Sequence, residues 1–237
     1  MNIGILAFLH DAGPLAWGVI ITLGIMSLYS LTIAIERWWV FRKMRNSTLE
    51  FLPAVTMALK EKDLKHALEE TRRHKRSHLA KVLAGGLHEF VNHEAQKHDF
   101  DLIQAVERSL ERSAALTTAE LRHGLAFLAT VASTAPFVGL LGTVGGIIKT
   151  FQTINISGSG GLAAVSGGIS EALYTTAMGL LVAIIAVWLF NYFVGRIEYF
   201  QVEMTNSASE LLDYFMKRVG VAPTSSGVGH ASTAQRS

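Results

Sequence analysis

Glu171 is the residue whose type and setting offer chemistry first. It stands immediately ahead of a 24-residue stretch, 172–195, that holds no charged side chain. A carboxylate at the edge or inside of a lipid-spanning helix costs a few kcal/mol, so it tends to face a bundle interior or a transport pathway. Thr175, Gly179 and Ala183 follow Glu171 at four-residue spacing and therefore share its helical face. Such a stripe of small residues lets helices approach closely in lipid. A carboxyl group held there can take up and release a proton. The competing reading places Glu171 at the headgroup level beside a Gly-rich loop, where it is simply hydrated.

A second cluster lies upstream. Ala135, Pro136, Gly139, Gly142, Thr143, Gly145 and Gly146 punctuate another apolar run. Their spacing predicts close helix packing, with Gly142 and Gly146 forming a literal small-x-x-x-small pair. A phosphate-cradling loop is excluded, because no Gly-Lys-Ser/Thr follows. Pro136 removes one backbone hydrogen bond and should bend its helix. Thr134 and Thr143 bring hydroxyls to an otherwise dry span, where each bonds back to its own helix or lines a polar path. Lys149 sits at the outer end of the run, and its long stem is expected to snorkel to water.

Other chemistry finds little support. With no cysteine, thiolate metal sites, disulfides and cysteine catalysis are excluded. His88 and His93 are five residues apart, so they do not share a helix face as zinc-binding histidines four apart would. His74, His78 and His98 lie among charges and read as solvated. The basic run Arg72, Arg73, Lys75, Arg76 reads as a solvated face or a contact with anionic membrane lipid. Nucleic-acid binding is not indicated. No nucleophile–base pair or paired carboxylates mark an enzyme, and no cofactor is implied.

These residues must be positioned by membrane spans. Half of the 237 residues are apolar, 17% are charged, and the mean hydropathy is +0.33, against roughly 25% charged in soluble domains. Three charge-free windows, 12–35, 124–148 and 172–195, are 24, 25 and 24 residues long. About 20 apolar residues cross a bilayer, so three transmembrane helices are expected. The basic residues Arg37, Arg42, Lys43 and Arg45 follow the first window, which orients that end toward the cytoplasm and the N-terminus outside. Sixteen of the 21 Lys and Arg fall within 37–122, a cytoplasmic helical insertion. Apolar residues there recur at helical spacing: Leu64, Ala67, Leu68 and Thr71, then Leu79, Val82, Leu83, Leu87 and Val91. With Asp101 as N-cap, one helix carrying Ile103, Val106, Leu110, Ala114, Thr117 and Leu121 in register is expected to run from about 102 into the second span and on to 151. That is roughly 75 Å at 1.5 Å per residue.

The fold expected is therefore all-α, with the second and third spans extended far into the cytoplasm. Residues 1–36 form an outside segment and the first span, 37–122 the insertion, 123–151 the second span, and 152–168 an outside loop. Residues 169–219 form the third span with its cytoplasmic extension, and 220–237 a disordered, Gly/Ser/Thr-rich tail.

Three segments carry a resemblance. Ile-Glu-Arg at 35–37, TAPFVGLLGTVGGIIKTF at 134–151 and ISEALYTTAMGL at 169–180 together resemble the MotA/TolQ/ExbB proton-channel family, most nearly its ExbB/TolQ branch. The resemblance covers the topology of nearly the whole chain, and its motifs are specific to the second and third spans. It implies a multi-pass protein of the bacterial inner membrane, with periplasmic N-terminus and cytoplasmic C-terminus. It also implies a homopentamer around a dimer of a single-span ExbD/TolR-like protein that bears an essential aspartate. The implied work is conversion of proton-motive force into motion of a periplasm-spanning protein such as TonB or TolA, for outer-membrane import, envelope maintenance or gliding. By motif position Glu171 matches the family's channel-facing glutamate, Thr143 its span 2 threonine and Thr176 its span 3 threonine. On an ideal helix Thr175, about 40° from Glu171, shares its face better than Thr176 at about 140°, so both remain candidates. Two rivals from other classes are a passive oligomeric scaffold and a small-solute transporter; the latter lacks an inverted repeat.

Overall fold

The computed structural model describes residues 13–93, 99–157 and 162–221. Its elements, in order, are α1 (Pro14–Lys60), α2 (Leu64–Arg73), α3 (His78–His93), α4 (Asp99–Arg122), α5 (Leu125–Ser157) and α6 (Leu162–Val219). No strand occurs among the described residues. α1, α5 and α6 each contain a segment long and apolar enough to cross a membrane. The chain divides into two compact units. One gathers the described residues up to Lys43 with those from Thr118 to Tyr199, and the other gathers Met44–Thr117 with those from Phe200 onward.

The first unit holds the three apolar segments. Its core is built mainly from small and β-branched residues, with one leucine: Val19 and Leu23 of α1, Val131 and Ala135 of α5, Ala183 and Ala186 of α6. In lipid the hydrophobic effect cannot drive this association, because acyl chains are as apolar as the side chains themselves. Small residues instead allow dense van der Waals contact. Large apolar side chains such as Leu28, Phe137 and Trp188 point outward and are 70%, 70% and 72% exposed, the distribution that a lipid-facing surface requires. Hydroxyls within the spans are satisfied locally: Thr22, Ser30, Thr130 and Thr134 each donate to the carbonyl four residues back.

Two sequence expectations are corrected here. The single helix expected from 102 to 151 is two helices, α4 and α5, and it begins at Asp99 rather than after a cap at Asp101. Gly124 adopts φ +79°, a left-handed conformation open to glycine at little cost. A Cβ there would also lie 3.3 Å from the Ile33 side chain. The ladder restarts with the Phe127 amide donating to the Gly124 carbonyl, and the buried Arg37 guanidinium donates to the Glu120 carbonyl in the last turn of α4. A cation there meets the negative end of the helix. The loop expected over 152–168 is shorter, since α5 continues to Ser157 and α6 begins at Leu162. No proline falls within 152–157 or 162–168. The N-terminal residues 1–12, His98 and nearly all of the expected tail lie outside the described residues.

The second unit is a helical cluster with a conventional apolar core. Asp63 caps α2 by accepting from the His66 amide at 2.9 Å. Leu79, Val82, Leu83 and Leu87 of α3 and Ile103, Val106 and Leu110 of α4 are buried. Phe90 and Phe215 stack with centroids 4.0 Å apart. His78 departs from the solvated reading of the histidines: it is 1% exposed. Its Nε2–H donates to Glu203 of α6 at 2.9 Å, and its Nδ1 lies 3.2 Å from the Thr48 hydroxyl of α1, which donates to the Met44 carbonyl at 3.0 Å. That tautomer is assigned from the partners. Ser77, 2.8 Å from Thr48, extends the chain of hydroxyls, and its Oγ accepts from the Ala80 amide at the start of α3.

Burial pushes the His78 imidazole below its ordinary value of 6.5, against the raising effect of Glu203. The unfolded chain therefore binds more protons than the native one between the lowered value and 6.5, and stability falls as pH drops through that window. Acidification from above 6.5 is expected to lower the thermal unfolding midpoint of the detergent-solubilised protein, and His78→Gln to flatten that dependence. An unchanged slope in the variant would remove His78 as the cause.

Candidate functional site

The seam between α5 and α6 sets the site. A Cβ added at Gly139 would lie 2.9 Å from the Thr175 carbonyl oxygen and 3.1 Å from the Cα atoms of Thr176 and Gly179. At Gly179 it would lie 2.7 Å from the Ala135 carbonyl oxygen. Gly142 meets the Thr175 side chain, Gly146 meets Ala172, and Gly168 meets Thr150. As residue numbers rise along α5 they fall along α6, so the two helices are antiparallel, with backbones too close for any side chain at the crossing. Pro136 lies inside α5, one turn from this crossing, and the helix continues through it.

Thr175 is fully buried in the seam and donates to the Ala172 carbonyl at 2.7 Å. Thr176 is half-buried and donates across to the Gly139 carbonyl at 3.2 Å. Thr143, also half-buried, donates to the Leu140 carbonyl at 2.7 Å. Among the described residues Thr143 is not hydrogen-bonded to Glu171.

Glu171 follows the seam outward. Its side chain is 12% exposed. One carboxylate oxygen, Oε1, accepts from the Gly13 amide at 3.0 Å, and the other, Oε2, lies 3.6 Å from Lys149 Nζ. Gly13 precedes the first residue of α1, and its carbonyl accepts from the Trp17 amide. The carboxylate thus sits at the positive end of that helix as well as beside an ammonium. The hydrated loop position does not describe this residue. Nor does free snorkelling describe Lys149, which is 48% exposed yet reaches back to Glu171. Sequence reasoning missed both partners. The signal available was a lone cation and a lone acid flanking one short connection, 22 residues apart.

An α-helical integral membrane protein, with an acid held between its spans by a cation and a helix end, is the class this fold and site define. Residues 74–206 match the MotA/TolQ/ExbB proton channel family, and the chain belongs to that family, in its ExbB/TolQ branch. It is 43% identical over 110 residues to a biopolymer transport protein ExbB of Xanthomonas campestris, covering 46% of this chain and 44% of the relative. A Pseudomonas putida protein of the same name is 32% identical over 219 residues, 87% of this chain and 64% of the relative. The Tol-Pal system protein TolQ of Pseudomonas aeruginosa is 42% identical over 97 residues, 41% of this chain and 42% of the relative. The aligned part thus spans less than two thirds of each of these relatives.

The seam makes a direct test. Gly139→Ala is expected to cost about 1–3 kcal/mol, because the clashing atoms are backbone and cannot swing aside. Gly167→Ala, where a Cβ meets nothing within 4 Å, is expected to be neutral. Thermal unfolding in detergent reads both, and equal midpoints would show that the crossing is not tight.

Proposed function

We propose that this chain is the proton-channel subunit of a membrane complex that converts proton-motive force into mechanical work. Glu171 is its proton-exchanging group, with Thr143, Thr175 and Thr176 as the neighbouring polar groups of the path. The observation that carries this reading is the placement of Glu171, a carboxylate among apolar helices with 12% of its side chain exposed. Family membership supports the same reading. Several copies, five by analogy with the family, assemble with a single-span ExbD/TolR-like protein. The driven partner is a periplasm-spanning protein such as TonB, with outer-membrane import as the output. The membrane is the bacterial inner membrane, with the basic ends of the spans, Arg37–Arg45 and Arg196, in the cytoplasm.

A second output, TolQ-like envelope maintenance, draws support from the likeness to the Pseudomonas aeruginosa TolQ protein. Both outputs use the same site and differ only in what is driven.

Glu171→Gln keeps the size and most hydrogen bonding of the side chain but cannot exchange a proton. The variant is expected to purify with the same membrane partner as the wild type and to lose at least about a hundredfold in proton uptake by proteoliposomes. Full uptake in Glu171→Gln would overturn the reading. Tolerance of Glu171→Ala, with no single-span acidic protein copurifying, would instead identify a passive scaffold.

A further inference from the structure

We propose that Lys149 is a specificity-determining residue: the internal counter-cation of Glu171, which lets the carboxylate accept a proton but denies the place to a metal cation. The inference rests on Glu171 being the proton-exchanging group.

The arrangement is built rather than incidental. Both carboxylate oxygens are engaged by positive groups, Oε1 by the Gly13 amide at 3.0 Å and Oε2 by Lys149 Nζ at 3.6 Å. The lysine stem is seated on Gly13: a Cβ at that position would lie 3.1 Å from Nζ, 3.2 Å from Cδ and 3.4 Å from Cε. A side chain at 13 would press on the lysine stem and shift it by a few tenths of an ångström. The antiparallel seam fixes the remaining coordinate, because Gly146 on Ala172 and Thr150 on Gly168 bracket the Lys149–Glu171 pair.

The chemistry of the two kinds of ion then differs. A proton needs one lone pair, and a carboxylate in an ion pair still offers one. A metal cation such as sodium needs several oxygen ligands at once, replacing water it sheds. The ammonium, with Nζ 3.6 Å from Oε2, stands where a second cation would bind. Bringing a monovalent cation close to the Lys149 ammonium is repulsive, since like charges a few ångströms apart repel. Protonation of Glu171 instead ends its attraction for Lys149, whose side chain is 48% exposed.

The test uses the complex purified through the full-length chain from its own membranes and placed in proteoliposomes under an imposed potential. Uptake of radioactive sodium and uptake of protons are measured for the wild type, Lys149→Met, Lys149→Arg and Glu171→Gln. Wild type and Lys149→Arg are expected to take up sodium no faster than Glu171→Gln. Lys149→Met is expected to exceed that baseline by at least about tenfold. Sodium uptake by Lys149→Met at the baseline, or by the wild type at the level of Lys149→Met, overturns the proposal. A second measurement does not depend on flux. Treatment of the purified wild-type protein with a carbodiimide should join Lys149 to Glu171 by an amide bond with loss of water, read as a cross-linked peptide by mass spectrometry. Absence of that peptide overturns the ion pair on which the proposal stands. Proton uptake retained by Glu171→Gln would instead overturn the underlying function, and it would leave the cross-link in place.

Discussion

A carboxylate among apolar helices must be compensated, and the compensation at Glu171 organises the rest of the first unit. An isolated charge in such a setting is costly enough to neutralise or to drag water inward. Here an amide at the start of α1 and the ammonium of Lys149 on α5 supply the opposite sign from two directions. Neither can do so unless the three helices meet at a fixed distance and register. The glycines at 139 and 179 fix it. From that crossing Lys149 lies ten residues along α5 and Glu171 eight residues along α6 in the antiparallel sense, about 15 Å and about 12 Å of helix. A modest difference in rise is spanned by the lysine stem. The small-residue seam and the charged pair are therefore one device: close packing sets the register, and the register delivers the counter-charge.

How much of this could be read from the sequence follows from the range of the forces involved. The three spans were legible because lipid imposes a length and forbids charge, and both constraints are written locally in 12–35, 124–148 and 172–195. The small stripe from Thr175 to Ala183 was legible because helical periodicity is also local. The partners of Glu171 were not. Lys149 at the outer end of a span satisfies the snorkelling rule by itself, and only the loop geometry and the helix crossing turn it back toward the acid. His78 shows the same limit in the second unit, where its carboxylate partner, Glu203, stands 125 residues away. A polar run in sequence hid a side chain that three helices enclose. The break at Gly124 was a different failure. One glycine in a helical pattern does not by itself decide whether a helix ends, and here the surroundings are tertiary, with Arg37 reaching the Glu120 carbonyl in the last turn of α4.

The candidate threonines illustrate why a helical wheel and a motif can point to neighbouring residues. Thr175 shares the face of Glu171 as the wheel requires, and for that reason it is buried in the α5–α6 seam, donating within its own helix. Thr176 also meets α5 at Gly139, donating to its carbonyl, yet remains half-buried. One residue closes the interior between α5 and α6. The other stays at its edge, where a group on a neighbouring molecule can approach it. Position in a motif and position on a wheel thus describe different duties.

The magnitudes bear on whether such a site can do work at all. A proton crossing 100 mV releases about 2.3 kcal/mol, a small sum beside the cost of burying an uncompensated carboxylate. A channel whose acid alternated between bare charge and neutrality would spend far more than each proton brings. A compensated acid faces a smaller step. Protonating Glu171 weakens the Gly13 amide bond to a charged acceptor, worth about 1.5–3 kcal/mol, and gives up an ion pair to a half-exposed ammonium, worth up to about 1 kcal/mol. That change is of the same size as the driving energy, so the state of the site can be reversed by each proton in turn. On the proposed role of Glu171, the ion pair, which at first sight opposes proton exchange, keeps that exchange within the energy available.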